Sequence, residues 1–270
     1  MGVSGRSLAV SAVLLGVLAP PQPARYRSAQ LACAVYAEVI QSSVRGQSGE
    51  TTVGDRVHRA GVVVVRARSG GDSLLVEAWY DSLSVVRTTE AGKETAETDG
   101  FVGGRYRGVL AADGRYQAVT IPFVPDELAV QVELASALDE FFPRLAPDGL
   151  QVGREWNDGH GFSIKRQDDT RDRPGIIEHY SWAETRRAGE TVDAGDSVAV
   201  RLDQVIKERG DVAWSARFGP LSWTRHLTVN ARIPATGGVK RGIHSTVEQE
   251  ISVIRRFDLE SACGQPSTGN

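Results

Sequence analysis

Residues 121–156 read IPFVPDELAVQVELASALDEFFPRLAPDGLQVGREW, and the stretch divides the chain into two strand-rich halves. Pro125 stands where a missing N–H costs nothing, and Asp126 and Glu127 put negative charge in a first helical turn, where free N–H groups favour it. Pro143 cannot continue a helical ladder and restrains Phe142 before it. Between these marks Val130, Leu134, Ala137, Leu138 and Phe141 recur at helical spacing, widened by Leu128, Ala135 and Phe142. Glu133, Ser136 and Glu140 gather opposite. The spacing predicts one central amphipathic helix. A stripe this wide suits a helix lying in a concave surface, either as a plain cover for the core or as a movable lid over an apolar cavity. Pro147, Asp148 and Gly149 then form a turn, with proline fixing φ and glycine accepting a positive one.

Outward from the centre, the pattern is that of strands. Residues 35–44 place Val35, Ala37 and Val39 on one face, and 45–50 read as a polar turn. Residues 57–68 hold Val62, Val63, Val64 and Val65, a β-branched run bounded by Ser69, Gly70 and Gly71. Residues 73–87 follow as a long strand, and 88–98 as a charged, solvated loop. Residues 101–110 and 115–121 predict a hairpin closed at Ala112, Asp113 and Gly114. In the second half, 161–166 and 176–185 are strands on either side of a charged loop, 167–175. Residues 198–203, 212–218, 226–233 and 243–254 each alternate apolar with polar, as a half-buried antiparallel sheet requires. Several runs exceed the usual strand length of about five or six residues, and long antiparallel strands twist and curl. The fold class expected is mainly β (α+β): a long, curved antiparallel sheet or half-barrel, in two halves with one central amphipathic helix. Its parts are a leader and linker at 1–32 and a β-rich domain at 33–257. The domain divides into 33–123, a helix and junction at 124–156, and 157–257, and a loose tail follows at 258–270.

With 270 residues, 41% of them hydrophobic, the chain can bury a real core. Arg6, Arg25 and Arg27 are the charged residues of the first 32. They belong to 31 basic residues set against 34 acidic ones, so the body is more acidic than the net charge of −3 and carries no nucleic-acid footprint. Arg6 followed by the uncharged apolar residues 7–19 reads as a secretory signal, shorter than the roughly 20 residues of a comfortable span. The alternative is an uncleaved N-terminal anchor. Cleavage could follow Ala19, Ala24 or Ala34. In an oxidising compartment Cys33 and Cys263, the two cysteines, favour a disulfide. A lipidated Cys33 and two free thiols are the alternatives.

The chemistry-bearing residues do not assemble into a known catalytic pattern. His58, His160, His179, His226 and His244 lack metal-ligand spacing, so no metal or cofactor is expected. Asp158, Gly159, His160 and Gly161 read first as a turn, and as a hydrolase pair only if a nucleophile were found. Asp168, Asp169 and Asp172 alternate with Arg171 and Arg173 and lack calcium-loop spacing. No nucleophile elbow or phosphate loop occurs. Trp156 reads as a plug at one end of the sheet. Trp182 and Trp214 read either as core or, with the helix stripe, as the wall of an apolar pocket.

Pro147, Val152, Gly153 and Trp156 at the junction, with Phe218, Gly219, Pro220, Leu221 and Ser222 opening a long alternating strand, resemble a group of uncharacterised exported bacterial β-rich proteins with two strand-rich halves. In outline the group is similar to periplasmic lipoprotein-carrier half-barrels. The resemblance implies an envelope location and a curved antiparallel sheet, and brings no catalytic residues. The expectation is therefore an exported, non-catalytic protein of the periplasm or cell envelope, peripheral to the membrane at most. It would bind a lipid-like or other amphiphilic ligand in a cavity lined by Val130, Leu134, Ala137, Leu138, Phe141, Trp182 and Trp214. The alternative is a structural or protein-interaction module with a filled core, touching an envelope protein through the charged loops.

Overall fold

The computed structural model describes residues 23–48, 51–173, 175–193, 199–234 and 242–264. The apolar leader, residues 7–19, lies outside them, as does the tail from residue 265. Thirteen strands occur among the described residues. The first half supplies β1 (Ala34–Ser48), β2 (Thr51–Gly70), β3 (Ser73–Thr89), β4 (Gly92–Thr95), β5 (Tyr106–Ala111) and β6 (Tyr116–Thr120). The second supplies β7 (Glu155–Asn157), β8 (Phe162–Arg166), β9 (Thr170–Asp172), β10 (Gly175–Asp193), β11 (Ala199–Ser215), β12 (Gly219–Ile233) and β13 (Ile243–Arg255). All pair antiparallel in one curved, open sheet of order β6-β5-β3-β2-β1-β13-β12-β11-β10-β8-β7, with β4 added beside β3 and β9 beside β10.

The two halves thus share one sheet, and the seam is the pairing of the first long strand with the last, Tyr36 opposite Arg255 through Ser48 opposite Ile243. Strands of 15 to 20 residues are long enough that twist accumulates strongly along them. They also run further than the sequence suggests. Residues 45–48 and 51–56, expected as a turn and its flank, continue the β1–β2 ladder. Residues 198–203 and 212–218, expected as two strands, fall mostly in the single strand β11. The two charged loops contain the short strands β4 and β9. The hairpin turn between β5 and β6 forms as expected, with Gly114 at φ 91°.

One face of the sheet, here the inner face, is followed through the register. Glu38 pairs with Val253, Val253 with Trp223, Trp223 with Val212 and Val212 with Tyr180. Beside this row lie Tyr36, Val63 and Tyr80, and a bulge in the β2–β3 pairing lets both Tyr80 and Leu83 be buried. These residues join one core cluster with Leu128, Leu134, Leu138, Phe141, Phe142 and Leu145 from the central stretch. On the outer face a small cluster of Val35, Val64 and Trp79 packs with Leu259 of a terminal 3-10 segment, Phe257–Gly264.

The expected central helix is corrected to a single turn, α1 (Asp126–Ala129), after which residues 130–150 run as a strap of turns across the inner face. The cause is competition for backbone carbonyls. Arg59 Nη1 donates to Glu133 O at 3.2 Å, and the Tyr106 hydroxyl donates to Leu134 O at 2.5 Å. The sheet takes the acceptors that a helix would have used, and a short helix in isolation is marginal. The apolar stripe survives because burial selects it in either backbone form.

Residues 23–32, expected as part of a leader and linker, are instead built into the body. Tyr26 and Leu31 are buried in the core. Tyr26 N bonds Ala112 O, its hydroxyl donates to Pro143 O at 3.0 Å, and Gln30 Nε2 reaches Ala216 O at 3.0 Å.

Candidate functional site

The strap is held to both halves of the sheet by charged side chains that point inward. On the first-half side, Glu38 and Arg59 form an ion pair of 3.1 Å, 2% and 6% exposed, and Tyr80 donates to Glu38 at 2.8 Å. Such a pair persists only because each charge is partnered, and Arg59 spends a further donor on the strap at Glu133. On the second-half side, Glu140 of the strap meets Arg225 of β12 and, at 3.4 Å, Arg186 of β10. Glu208 of β11 bridges the same two arginines, 2.9 Å from Arg225 Nε. Arg144 continues the network to Glu184 at 3.7 Å and Asp158 at 3.3 Å, with its guanidinium 4.0 Å from the Phe162 ring centroid. Arg166 of β8 binds Leu150 O, Asp169 and Glu178.

Between this second network and the strap lies a cavity of about 390 Å³. Phe142, Phe162, Trp182 and Trp223 give it apolar walls, and Glu140, Glu184, Arg186, Glu208 and Arg225 give it a charged rim. Tyr116 lines it too, with its hydroxyl buried against Gly108 and without a hydrogen-bond partner among the described residues. Burial, then the nearby Asp139 carboxylate, pushes that hydroxyl up to about 12, so it stays protonated and able to donate. Burial also raises Glu184, with Arg186 and Arg144 opposing the shift. A second hollow, of about 740 Å³, lies at the other end of the strap among Pro23, Arg25, Leu150, Arg166, Ile176 and Trp214. The Trp214 indole N–H is buried without a hydrogen-bond partner among the described residues.

Beyond the rim the inner face continues, uncovered by the core cluster. Val44 pairs with Val247, Val247 with Val229 and Val229 with Ile206, giving an apolar row four strands wide, roughly 15 Å. Among the described residues none of the four belongs to the core or packs against it, and Val44 is 41% exposed. The row is closed at one end by Asp55, opposite Val44 and ion-paired with Arg87, and at the other by Arg186, opposite Ile206. An apolar strip with a cavity and a charge network at its border can hold an apolar chain and a polar head together.

The seven residues expected to line one cavity are separated. Leu134, Leu138 and Phe141 are buried in the core, with Phe141 edge-on to Tyr36 at 5.6 Å and to Trp223 at 5.0 Å. Ala137 packs half-buried against them. Trp182 lines the cavity at the charged rim, and Trp214 is fully buried in the same core, at the border of the hollow at the far end. Val130 is 75% exposed, because the helix that would have turned it inward is absent. Asp158 accepts the N–H groups of His160 and Phe162 at 2.7 and 3.1 Å and an Arg144 N–H, so its carboxylate is committed to a turn. His160 is exposed beside it, between Gly159 and Gly161 at positive φ. Cys33 Sγ lies 3.2 Å from Glu260 O, and the Cys263 side chain is outside the described residues. Among the described residues no cluster of three or more His, Cys, Asp or Glu side chains could hold a metal. What the sequence reading missed is the inward charge at Glu38, Arg59, Glu208 and Arg225. Its only trace is a charged residue at the in-phase position of an otherwise apolar register.

No family model and no curated protein matches the chain. Among solved structures it is similar to lipovitellin, in a study of lipid–protein interactions, at 10% identity over 87% of this chain and 25% of that one, with a TM-score of 0.48. The chain therefore spans a quarter of the length of that protein. It is also similar to a DUF1329 family protein from Desulfovibrio piger, at 11% identity, 86% and 90% coverage and a TM-score of 0.20. A third likeness is to an outer membrane lipoprotein-sorting protein domain from Vibrio parahaemolyticus, at 8% identity, 86% and 87% coverage and a TM-score of 0.16.

Proposed function

We propose that this chain is an exported, non-catalytic envelope protein that holds an amphiphilic ligand on the inner face of its sheet. The apolar chain of the ligand would lie along Val44, Val247, Val229 and Ile206, and its polar head would meet Arg186 and Arg225. The observation that carries the reading is the uncovered apolar row bordered by a charge network, on the same face whose other end is packed shut. Export rests on Arg6 and residues 7–19. Since Ala24, Tyr26 and Leu31 are all core residues, cleavage should fall before Ala24. The test begins with the full precursor expressed and purified from the envelope under mild conditions, followed by native and denaturing masses with and without reductant. An adduct that extracts into organic solvent and is absent from the Val229→Glu variant supports the reading. A wild-type protein that stays free of adduct, and that takes up no fatty acid or phospholipid offered to it, sinks it. The denatured mass also reports the N-terminus and whether Cys33 and Cys263 are joined.

The second reading, an interaction module, is favoured by Leu134, Leu138 and Phe141, which fill the core instead of lining a cavity. It expects a protein captured by cross-linking through residues 88–98 or 167–175, and loss of capture when either loop is shortened.

A further inference from the structure

The outer face of the first half carries an arginine-rich apolar surface that the ligand reading leaves unused. Arg66 lies opposite Glu77 and Glu77 opposite Arg107, while Arg68 lies opposite Leu75 and Leu75 opposite Val109. These residues line a hollow of about 400 Å³ together with Val119. Next to it Trp79 bears two guanidinium groups, Arg105 at 3.5 Å from its ring centroid and Arg66 at 5.2 Å. Arg105 Nη1 is buried without a hydrogen-bond acceptor among the described residues. Glu77 pairs with Arg107 at 3.0 Å, and Asp81 is the other acid acting on Arg105, so four arginines meet two carboxylates.

Exposed apolar side chains flank this charge. Leu75 is 38% exposed, Val119 69%, Ile121 50% and Phe123 77%. They are contiguous with it: Thr120 at the end of β6 pairs with Arg107, and Pro122 abuts Gly104, one residue from Arg105.

We propose that this face docks the protein on an anionic lipid bilayer. Val119, Ile121 and Phe123 enter the headgroup boundary, while the guanidinium groups stay at phosphate level, where their forked donors suit phosphate oxygens. The arginines lie on β2 and at β5, on either side of β3, rather than gathered in a pit, which fits a plane of charge better than one small anion. A second copy related by a two-fold axis would bring the same arginines toward one another. The proposal stands whether or not the inner face holds a ligand.

The experiment is co-sedimentation of the full chain with vesicles of phosphatidylcholine alone and of phosphatidylcholine mixed with phosphatidylglycerol. Binding to the mixed vesicles, weakened by high salt, is the expected result. Arg68→Glu with Arg107→Glu should lower that partitioning at least about tenfold, at unchanged circular dichroism. Both arginines are exposed, but should that variant misfold, Ile121→Ser with Phe123→Ser tests the apolar part and should also lower binding. Failure to sediment with the mixed vesicles overturns the proposal, as does equal binding to both vesicle types or undiminished binding by the folded variants. Retention of a co-purified ligand by the arginine variant separates this failure from failure of the ligand reading.

Discussion

Along β12, Trp223 and Val229 stand on the same face of one strand, six residues apart. Trp223 is 6% exposed, touches Tyr36 and Phe141 edge-on and belongs to the core. Val229 is half-buried and belongs to no cluster. The same pairing ladder, β13–β12–β11, carries both. What separates them is the strap, which ends its cover at the Arg225–Glu208–Arg186 row. Alternation in a strand therefore specifies which face is apolar, but what lies against that face is decided elsewhere in the chain. A covered apolar row contributes to stability; an uncovered one is left available for something that is not part of the fold.

Phe141→Ala should break the covered side most severely, by about 3 to 5 kcal/mol in equilibrium unfolding, since it removes a ring fixed between Tyr36 and Trp223 and leaves a cavity. An equal loss from Val229→Ala would erase the distinction between the two rows. The border should behave differently from both. Arg225→Met leaves Glu208 buried and short of a partner, a loss of roughly 3 kcal/mol. Replacing both by leucine should recover most of it, because breaking a buried pair costs more than omitting it. A double variant no more stable than the single one would mean that the strap depends on the charges themselves.

Much of this arrangement was open to reading in the sequence. The period-2 alternation in residues 198–254 predicts the antiparallel second half, and Asp113 with Gly114 predicts the hairpin turn that forms. The helix was not legible, because Leu128, Leu134, Leu138 and Phe141 satisfy a helical stripe whether or not the carbonyls of Glu133 and Leu134 are free, and those are taken by Arg59 and Tyr106 far away in the chain. The β1–β13 seam was equally hidden, since it joins residues about two hundred positions apart, from Tyr36 with Arg255 to Ser48 with Ile243. The site suffered from the helix reading. Of the seven residues assigned to one wall, Leu134, Leu138, Phe141 and Trp214 are core residues, Ala137 and Trp182 pack against that core, and Val130 is on the surface.

The rim should also reveal itself by pH. Glu184 has a raised pKa, caused first by burial and then by Glu208, so its folded form holds a proton more readily than its unfolded form. Stability from this group therefore rises as pH falls from that raised value toward the ordinary 4.5, and is lowest where the carboxylate is fully charged. Glu184→Gln should flatten this part of the stability profile and be no less stable than the parent near neutrality. A steeper profile in the variant would show the Arg144 and Arg186 pairings to outweigh the burial.

The smallest expected effect on stability is the most informative about function. Val229→Glu places a charge in the uncovered row, where no core neighbour is displaced, so unfolding should change by about 1 kcal/mol or less. If the row is a ligand surface, the same substitution should abolish uptake of an apolar chain, because a carboxylate there faces the hydrocarbon with no partner. Ala137→Trp, in the strap where it packs on the core, should do the reverse: overpacking of the core at about 1 to 3 kcal/mol, with ligand uptake kept in the folded fraction. Should Ala137→Trp block uptake while Val229→Glu leaves it intact, the ligand would lie under the strap, and the strap would have to open to admit it.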